Sequence, residues 1–479
     1  MSAYLKRLLA SSAAYQTSSM VSAALALLTI RLYTEALTQA EYGYAETLLT
    51  FVIFGSILLR AGIEEALVRF WFDDEDPARR TRLARTTVTV VGAASTVAAL
   101  LGLAVAGPLS ELLLDTRDPG LMACGLLGLW AFTNLQVAYA LLRVEERRRA
   151  FVVASVGNVL LTVALTVVLV LAYDLGAVGY VLGNYAASAA VLLALWASNA
   201  RLAAPIRPRG VGALVRYGGP TVPADATVFA LNVVDRAYLL RAESPAAAGR
   251  YAAAVKLATG VILVVRGFQA AWPPLVYSVE DDEEARRLYA FITLLYVVVV
   301  GSAVVAVTLL GRWIVRLLVA PEFFEAHQAL PWVALGWALY GLFLVLVTIA
   351  GRARVTSRNF PAAAAGLVVN VVVLVALVPR VGIAGAGVAL AVSYLAMLAV
   401  LHVLTRRLFH VPFDWRRLAF ALGALAAIAV AGELLLPDAG ASGLLLRLLW
   451  LALVPAAFGL TGFVRASERQ AVRGLLRRA

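Results

Sequence analysis

Long runs of hydrophobic residues, separated by short polar stretches, follow one another along nearly the whole chain of 479 residues. A helix needs about 20 apolar residues to cross the hydrocarbon core of a bilayer, and about 14 runs approach that length. They fall near 12–36, 42–68, 86–108, 119–142, 150–172, 177–199, 213–236, 251–277, 289–311, 326–350, 361–379, 383–405, 418–436 and 443–464. The pattern therefore predicts an all-α, polytopic integral membrane protein with about 14 transmembrane helices.

Basic residues gather in the polar stretches on one side of this predicted membrane. The chain has 39 arginines and two lysines, and 36 of these 41 residues lie outside the spans or near their ends. With the N-terminus inside, 29 of them fall on the cytoplasmic side and seven outside, which is the asymmetry of the positive-inside rule. We therefore expect both termini in the cytoplasm, and we expect the net charge of +12 to face membrane lipids, with no nucleic-acid partner.

An internal repeat relates positions that are 206 residues apart. Gly43 matches Gly249, Arg60 matches Arg266, and later glycines and an acidic run also correspond. Because 206 residues contain six spans, both copies have the same orientation and are related by an axis along the membrane normal. This predicts two pseudo-symmetric six-helix lobes around a central cavity, plus two extra C-terminal helices. The predicted divisions are the first lobe at 1–205, the second lobe at 206–411, and helices 13 and 14 with a basic cytoplasmic tail at 412–479.

Polar residues interrupt two of the apolar runs near the middle of the chain. In the seventh span, Asn232 and Arg236 follow Asp225 by 7 and 11 residues, so that all three share one face of a helix. The eighth span carries Lys256 and Arg266 within an otherwise apolar run. Charges at mid-membrane are costly and usually face a watery cavity, so these positions predict a polar cavity.

The same stretch contains a series of short motifs. In order they are Gly219-Pro220 with Pro223, Asp235-Arg236, Gly249-Arg250-Tyr251, Lys256-Leu257, Gly267-Phe268-Gln269-Ala270 and Trp272-Pro273-Pro274. In this order and spacing, the chain resembles the bacterial oligosaccharide flippase, or polysaccharide biosynthesis protein, family, which is related to multidrug and toxin extrusion transporters and lipid II flippases. The resemblance extends to the first lobe through Arg31 to Leu37 and Glu41 to Tyr44.

This resemblance implies a flippase of the bacterial inner membrane that acts by alternating access. Its expected substrate is a polyprenyl-diphosphate-linked oligosaccharide used for O-antigen, capsule or exopolysaccharide. A glycan polymerase and a chain-length regulator are the expected protein partners, and the protein is expected to act as a monomer without a cofactor. An ion-coupled multidrug or small-molecule exporter of the same fold is the alternative.

Two repeat-related arginines are the candidates for binding the diphosphate. Arg60 and Arg266 could grip phosphate oxygens from opposite lobes, because the guanidinium fork forms paired, charge-assisted hydrogen bonds. Glu64 stands one turn beyond Arg60, however, and a structural ion pair is the alternative there.

Each of the other charged residues has two possible roles. Arg31, Asp235 and Arg236 lie near helix ends, where they either line the cavity or reach the interface. Asp225 and Lys256 lie deeper, and either line the cavity or pair with each other. The predicted substrate-binding residues are Arg31, Arg60, Asp225, Asn232, Arg236, Lys256 and Arg266, with Asp225 and Glu46 as candidate coupling-ion residues.

The sequence offers little support for an enzymatic function. The acidic runs around Asp73 and Glu283 have arginines close behind them, as ordinary solvated loops do. The chain lacks a Gly-rich nucleotide loop, and its single Cys124 and three scattered histidines offer no metal-ligand spacing. We therefore expect a transporter without metal or cofactor.

Overall fold

The computed structural model describes residues 20, 21, 23–73, 76–279, 281–352, 358–407 and 409–460. Within these ranges the chain is helical and contains no strand. Lys6, the part of the first predicted span before residue 20, and the basic tail after residue 460 lie outside the described residues.

Twenty helical segments follow one another in the described chain, which we number α1 to α20. They are α1 at 23–36, α2 Gln39–Arg60, α3 Ile63–Trp71, α4 Pro77–Ala104, α5 Ala106–Leu114, α6 Pro119–Val144, α7 Arg148–Val167 with a π-helical extension to Ala172, α8 Gly176–Ser198, α9 Ala200–Ala203, α10 Val211–Gly218, α11 Val222–Ala242, α12 Pro245–Leu257, α13 Thr259–Ser278, α14 Asp282–Leu318, α15 Leu330–Arg352, α16 Asn359–Val381, α17 Ile383–Thr405, α18 Trp415–Leu435, α19 Gly440–Leu451 and α20 Leu453–Leu460. Short 3-10 segments precede α11 and α15.

Among the described residues, twelve helices or joined helices are long and apolar enough to cross a membrane, judged by length and composition alone. They coincide with twelve of the 14 predicted spans. The two others are the first span, which is only partly described, and α11, whose Asp225, Asp235 and Arg236 fall within 18 residues. The all-helical, polytopic prediction is confirmed.

Several predicted spans are broken helices. The predicted continuous span at 42–68 was wrong, because α2 ends at Arg60 and α3 begins at Ile63, and Ala61 and Gly62 between them have left-handed backbone (φ 48° and 70°). An added Cβ on Gly62 would lie 2.0 Å from the carbonyl oxygen of Gly218, so the backbones of α3 and α10 touch there. The eighth span is likewise divided at Ala258, between α12 and α13.

The helices pack in two sets that meet along α2. In the first set α6 packs against α4, α8 and α2, and in the second set α17 packs against α15 and α16 while α11 packs against α16. Helix α2 also packs against α11 and α12 of the second set. This arrangement agrees with two lobes, whereas the boundaries at 205 and 411 stay predictions.

The repeat-related glycines Gly43 and Gly249 face each other where α2 crosses α12. A Cβ on Gly43 would lie 2.1 Å from the carbonyl oxygen of Pro245, and a Cβ on Gly249 would lie 2.0 Å from that of Gln39. Real Cβ atoms essentially never approach so closely. The two backbones therefore touch, and any larger residue at either position would push the helices apart.

The C-terminal part of α1 is bound to the C-terminal end of α14. Arg31 donates from Nη1 to the Leu317 carbonyl at 3.0 Å and pairs through Nε with Glu35 at 2.8 Å. Thr34 Oγ1 accepts from the Ala320 backbone N–H at 3.0 Å. Arg31 thus closes the C-terminus of a helix, where a cation is favourable.

Helices α18 to α20 pack mainly on α14 and on each other. Their anchor is Arg447, which is fully buried. Its guanidinium donates to the carbonyls of Leu309 at 2.9 Å and Pro437 at 3.0 Å, and pairs with Glu433. The guanidinium also lies 5.3 Å from the ring centroid of Trp313. The appended pair is therefore held to α14 by one arginine that the sequence pattern did not single out.

We expect Arg447→Met to loosen α18–α20 from α14. The substitution keeps much of the side-chain volume but removes donors to buried carbonyls, a change that costs about 3–5 kcal/mol when a buried ion pair is broken. Thermal unfolding in detergent should begin several degrees lower than in wild type. Arg149→Met, at an exposed position of α7, is the matched control and should leave the transition unchanged. Equal transitions for both variants would contradict the anchoring role.

Candidate functional site

A cavity of about 520 Å³ lies among α11, α13, α15 and the start of α16, with Ile57 of α2 as one wall. Three of the predicted site residues line it, namely Asp225 and Asn232 of α11 and Arg266 of α13. The one-face spacing of Asp225 and Asn232 along α11 brings them to the same cavity. Arg266 is a half-buried cation, two turns after the start of α13.

Three further lining residues carry polar atoms that are buried and, in the described part of the chain, unpaired. Gln269 Nε2, Trp337 Nε1 and Asn359 Oδ1 are buried and have no hydrogen-bond partner among the described residues. Buried polar atoms are normally satisfied, since leaving one unpaired costs about 1–3 kcal/mol. All three residues line the same cavity, while the three atoms themselves are buried beneath its surface.

Aromatic rings form another wall of the cavity. The ring centroids of Trp337 and Tyr340 are 5.8 Å apart, and those of Tyr340 and Tyr394 are 5.3 Å apart. Tyr340 lies close enough to both Asp225 and Arg266 to interact electrostatically with each. The cavity thus combines one cation, one carboxylate, three amides and a ring surface.

A second group of charges joins α2 to α11 and α12, and we call it the Glu46 cluster. Glu46 Oε1 accepts from Lys256 Nζ at 2.7 Å and from the Tyr180 hydroxyl at 2.6 Å. Arg236 Nη2 lies 3.9 Å from Glu46 Oε2, and Arg236 Nη1 also donates to the Thr50 hydroxyl. Glu46 is almost fully buried, so its carboxylate depends on these cations for stabilisation.

Comparison with known proteins assigns the chain to a family. The model of a family described as polysaccharide biosynthesis protein matches residues 8–280, more than half of the chain. The chain belongs to the polysaccharide biosynthesis protein family. No curated protein matches its sequence.

Solved structures resemble this member of the polysaccharide biosynthesis family in fold. Lipid II flippase MurJ in an inward closed conformation has a TM-score of 0.73 at 11% identity, covering 94% of this chain and 97% of that one. An inward-facing multidrug resistance MATE family transporter has a TM-score of 0.62 at 14% identity, covering 80% and 98%. The MATE transporter VcmN of Vibrio cholerae, in its bent form, has a TM-score of 0.54 at 16% identity, covering 84% and 98%. At such identities the likeness concerns the fold alone.

The remaining predicted residues of this family member lie outside the cavity. Lys256 and Arg236 belong to the Glu46 cluster, so Lys256 pairs with Glu46, and its alternative pairing with Asp225 is not found among the described residues. Arg60 pairs with Glu64, which also pairs with Arg143. Arg60 therefore adopts the ion pair that its spacing offered as the alternative. Roles of these residues, and of Arg31, in substrate binding stay predictions.

The position of Asp235 near a helix end made contact with the membrane interface one of its two interpretations. The structure does not place it there. It is buried, and its Oδ2 accepts from the Tyr251 hydroxyl at 2.9 Å. Asn370 of α16 lies beside it, close enough to interact with its carboxylate. Within the described ranges, no group of three or more His, Cys, Asp or Glu residues could hold a metal ion.

Four residues of the cavity wall were not predicted from the sequence. Gln269 lies in one of the quoted motifs, three residues after Arg266 and hence on the same helix face, a spacing that could have marked it. Trp337, Tyr340 and Asn359 carry no such signal, because aromatic residues are common in spans and Asn359 starts a helix. Their position in the cavity depends on how α15 and α16 pack against α11.

If Glu46 and Lys256 form a buried pair, the effects of substituting them on protein stability should not be additive. Glu46→Gln leaves Lys256 and Arg236 without their carboxylate in a buried setting, which costs about 3–5 kcal/mol. Adding Lys256→Met removes one stranded charge, so the double variant should be more stable than Glu46→Gln alone. Thermal unfolding in detergent checks this order, with Glu111→Gln at an exposed position as control. Additive losses in the double variant would contradict the pairing.

Proposed function

We propose that this protein is a flippase that moves a polyprenyl-diphosphate-linked oligosaccharide across the bacterial inner membrane by alternating access of its two lobes. The observation that supports this most is the cavity in which the amide residues Asn232, Gln269 and Asn359 line the wall together with Arg266. Its family, described as polysaccharide biosynthesis protein, points to the same class of substrate.

The cavity walls suit a glycan. Sugar hydroxyls both donate and accept hydrogen bonds, which matches the amides of Asn232, Gln269 and Asn359. The rings of Trp337 and Tyr340 offer apolar surface on which a pyranose face can lie. A hydrophobic drug would leave these polar atoms unpaired at a cost of about 1–3 kcal/mol each.

Arg266 is the proposed contact for the diphosphate, with the polyprenyl tail remaining in lipid. Its fork can bond two phosphate oxygens at once, which a lysine cannot do. A membrane potential that is negative inside assists outward movement of this anion by about 2.3 kcal/mol per charge per 100 mV. Ion coupling through Asp225 or Glu46 is therefore not required for transport.

The second candidate function is export of a cationic drug, and Asp225 favours it. Its carboxylate lines the same cavity as Arg266 and could attract a cation. The two functions differ in which charge they need: Asp225→Asn should abolish drug export, whereas a flippase should keep most of its activity with this variant.

Purified protein in proteoliposomes separates the two functions. A lipid-linked oligosaccharide labelled on its sugar, placed in the inner leaflet, should become accessible to an external lectin only when the protein is present. Ethidium added to the same vesicles tests drug transport. Ethidium movement without glycan movement would overturn the flippase and support the exporter.

The proposed location is the inner membrane, with both termini in the cytoplasm, because of the 29 to 7 split of basic residues. Alkaline phosphatase fused after the last residue should therefore be inactive, since the enzyme needs the periplasm. A fusion after residue 438, between α18 and α19, should be active. The opposite pattern would reverse the orientation. We also propose a glycan polymerase and a chain-length regulator as partners of a monomeric flippase.

A further inference from the structure

A second cavity, of about 510 Å³, lies where α4 begins and α10 passes it. Four arginines line it, namely Arg79, Arg80, Arg82 and Arg209, and no acidic residue is among the described residues of its lining. The sequence analysis used these arginines only as basic residues of the predicted cytoplasmic loops. The structure gathers them, from positions about 130 residues apart, around a single space.

Part of the wall of this arginine cavity is apolar. Phe70 of α3, Leu83 of α4 and Leu214 of α10 face it together with Ala213. Leu83 and Phe70 also pack on the buried cluster that holds Leu214, so this wall is fixed by the fold. A cavity with guanidinium groups on one side and hydrocarbon on the other fits an amphiphile better than a soluble anion.

The depth of the cavity agrees with the headgroup layer of a membrane. Helix α4 has 28 residues, about 42 Å at 1.5 Å per residue, whereas a span needs only about 20 residues. About eight residues therefore extend beyond the hydrocarbon. If the excess lies at the charged end, it comprises the turns that carry Arg79, Arg80 and Arg82.

Contacts with the protein hold one of these arginines at the cavity. Arg80 Nε donates to the Trp71 carbonyl at 3.0 Å, and its guanidinium lies 5.7 Å from the Trp71 ring centroid. Asp76, the N-cap of α4, lies outside the lining, with its Oδ2 4.0 Å from Arg79 Nε. Arg80 is thus positioned before any ligand binds, which lowers the entropic cost of binding.

We propose that the arginine cavity binds the phosphate-bearing headgroup of an anionic membrane lipid, with its acyl chains along the apolar wall. Guanidinium groups bond phosphate oxygens in pairs, and basic pockets on the cytoplasmic side of membrane proteins recognise such headgroups. This lipid site shares no lining residue with the cavity around Arg266. Lipid binding here therefore does not require the substrate proposed for the other cavity.

A bound lipid would connect α4 to α10, the segment that leads into α11. Helix α10 already touches α3 through the backbone contact of Gly62 with Gly218. Occupation of the site therefore fixes the approach to α11, whose Asp225 and Asn232 line the transport cavity. Anionic lipid is consequently expected to bind and to stabilise the protein even when no glycan is present.

Lipid titrations of the full chain, delipidated in detergent, test this site by native mass spectrometry. The probes are phosphatidylglycerol, cardiolipin and the neutral phosphatidylcholine, with inorganic diphosphate as a soluble competitor. The cavity variant is Arg79→Gln, Arg82→Gln and Arg209→Gln together. Its control is Arg148→Gln, Arg149→Gln and Arg416→Gln, which changes the net charge equally at other arginines of the predicted cytoplasmic side.

Both anionic lipids should bind wild type and the control alike, and should bind the cavity variant at least tenfold more weakly. Equal binding by the two variants would overturn the proposal. Displacement of phosphatidylglycerol by an equal concentration of inorganic diphosphate would assign the cavity to a soluble phosphate instead, and would also overturn it. If the triple variant does not fold, the single variant Arg82→Gln at an exposed position should weaken binding about threefold, and unchanged binding there would again refute the site.

Discussion

Arg266→Ala should abolish surface glycan in a flippase-null strain, while Arg266→Lys should restore only part of it. Alanine removes the cation that lines the cavity, whereas lysine keeps the charge but loses the planar fork that grips two phosphate oxygens. A hydrogen bond to a charged group contributes about 1.5–3 kcal/mol, which corresponds to roughly 10- to 150-fold in binding. Export by the alanine variant should therefore fall by at least tenfold at wild-type protein levels.

Two comparisons make this result specific to the cavity. Arg149→Ala changes the net charge equally at an exposed position and should export normally. Arg60→Ala removes the repeat-related arginine, which is paired with Glu64. Wild-type export by Arg266→Ala would remove the phosphate role, and full export by Arg266→Lys would reduce that role to simple charge.

Gly43→Ala should have an effect of similar size, although it adds only a methyl group. The new Cβ would stand 2.1 Å from the Pro245 carbonyl oxygen, so α2 and α12 would have to separate by about 1 Å. That separation would also stretch the 2.7 Å contact between Glu46 and Lys256 one turn away. We expect glycan export to fall at least tenfold, and Gly43→Leu to abolish it.

Glycines in open surroundings provide the matched control for this prediction. A Cβ on Gly157 or Gly260 would meet nothing within 4 Å, so Gly157→Ala and Gly260→Ala should export normally. Gly249→Ala, on the opposite side of the same contact, should reproduce the Gly43→Ala defect. Normal export by both Gly43→Ala and Gly249→Ala would show that close approach of the two backbones is not needed for transport.

Hydropathy and charge predicted the class of fold because membrane insertion acts on each segment separately. Twelve of the spans are found as helices for this reason. The interruptions at Gly62 and Ala258 escaped prediction because both lie in apolar sequence. The repeat matched Gly43 with Gly249, but contact between them is a property of the assembled lobes.

The site was predictable only where its residues share one helix. Spacing along α11 selected Asp225 and Asn232 together, and both line the cavity. By contrast, the partner of Lys256 lies 210 residues away on α2, and no periodicity connects the two. Pairings between helices depend on packing, so the sequence could offer only the carboxylate of the neighbouring span, Asp225.

Helix α14 is much longer than the membrane is thick. Its 37 residues contain no proline and extend about 55 Å, well beyond the hydrocarbon core of about 30 Å. The C-terminal end is clamped, through the Leu317 carbonyl to Arg31 and through the Leu309 carbonyl to Arg447. A tilt of about 10° around this clamp would move the acidic first turn at Asp282 by about 7–9 Å, given the rise per residue of a helix. A small rearrangement at the clamped end would therefore produce a larger displacement at the opposite end of the helix.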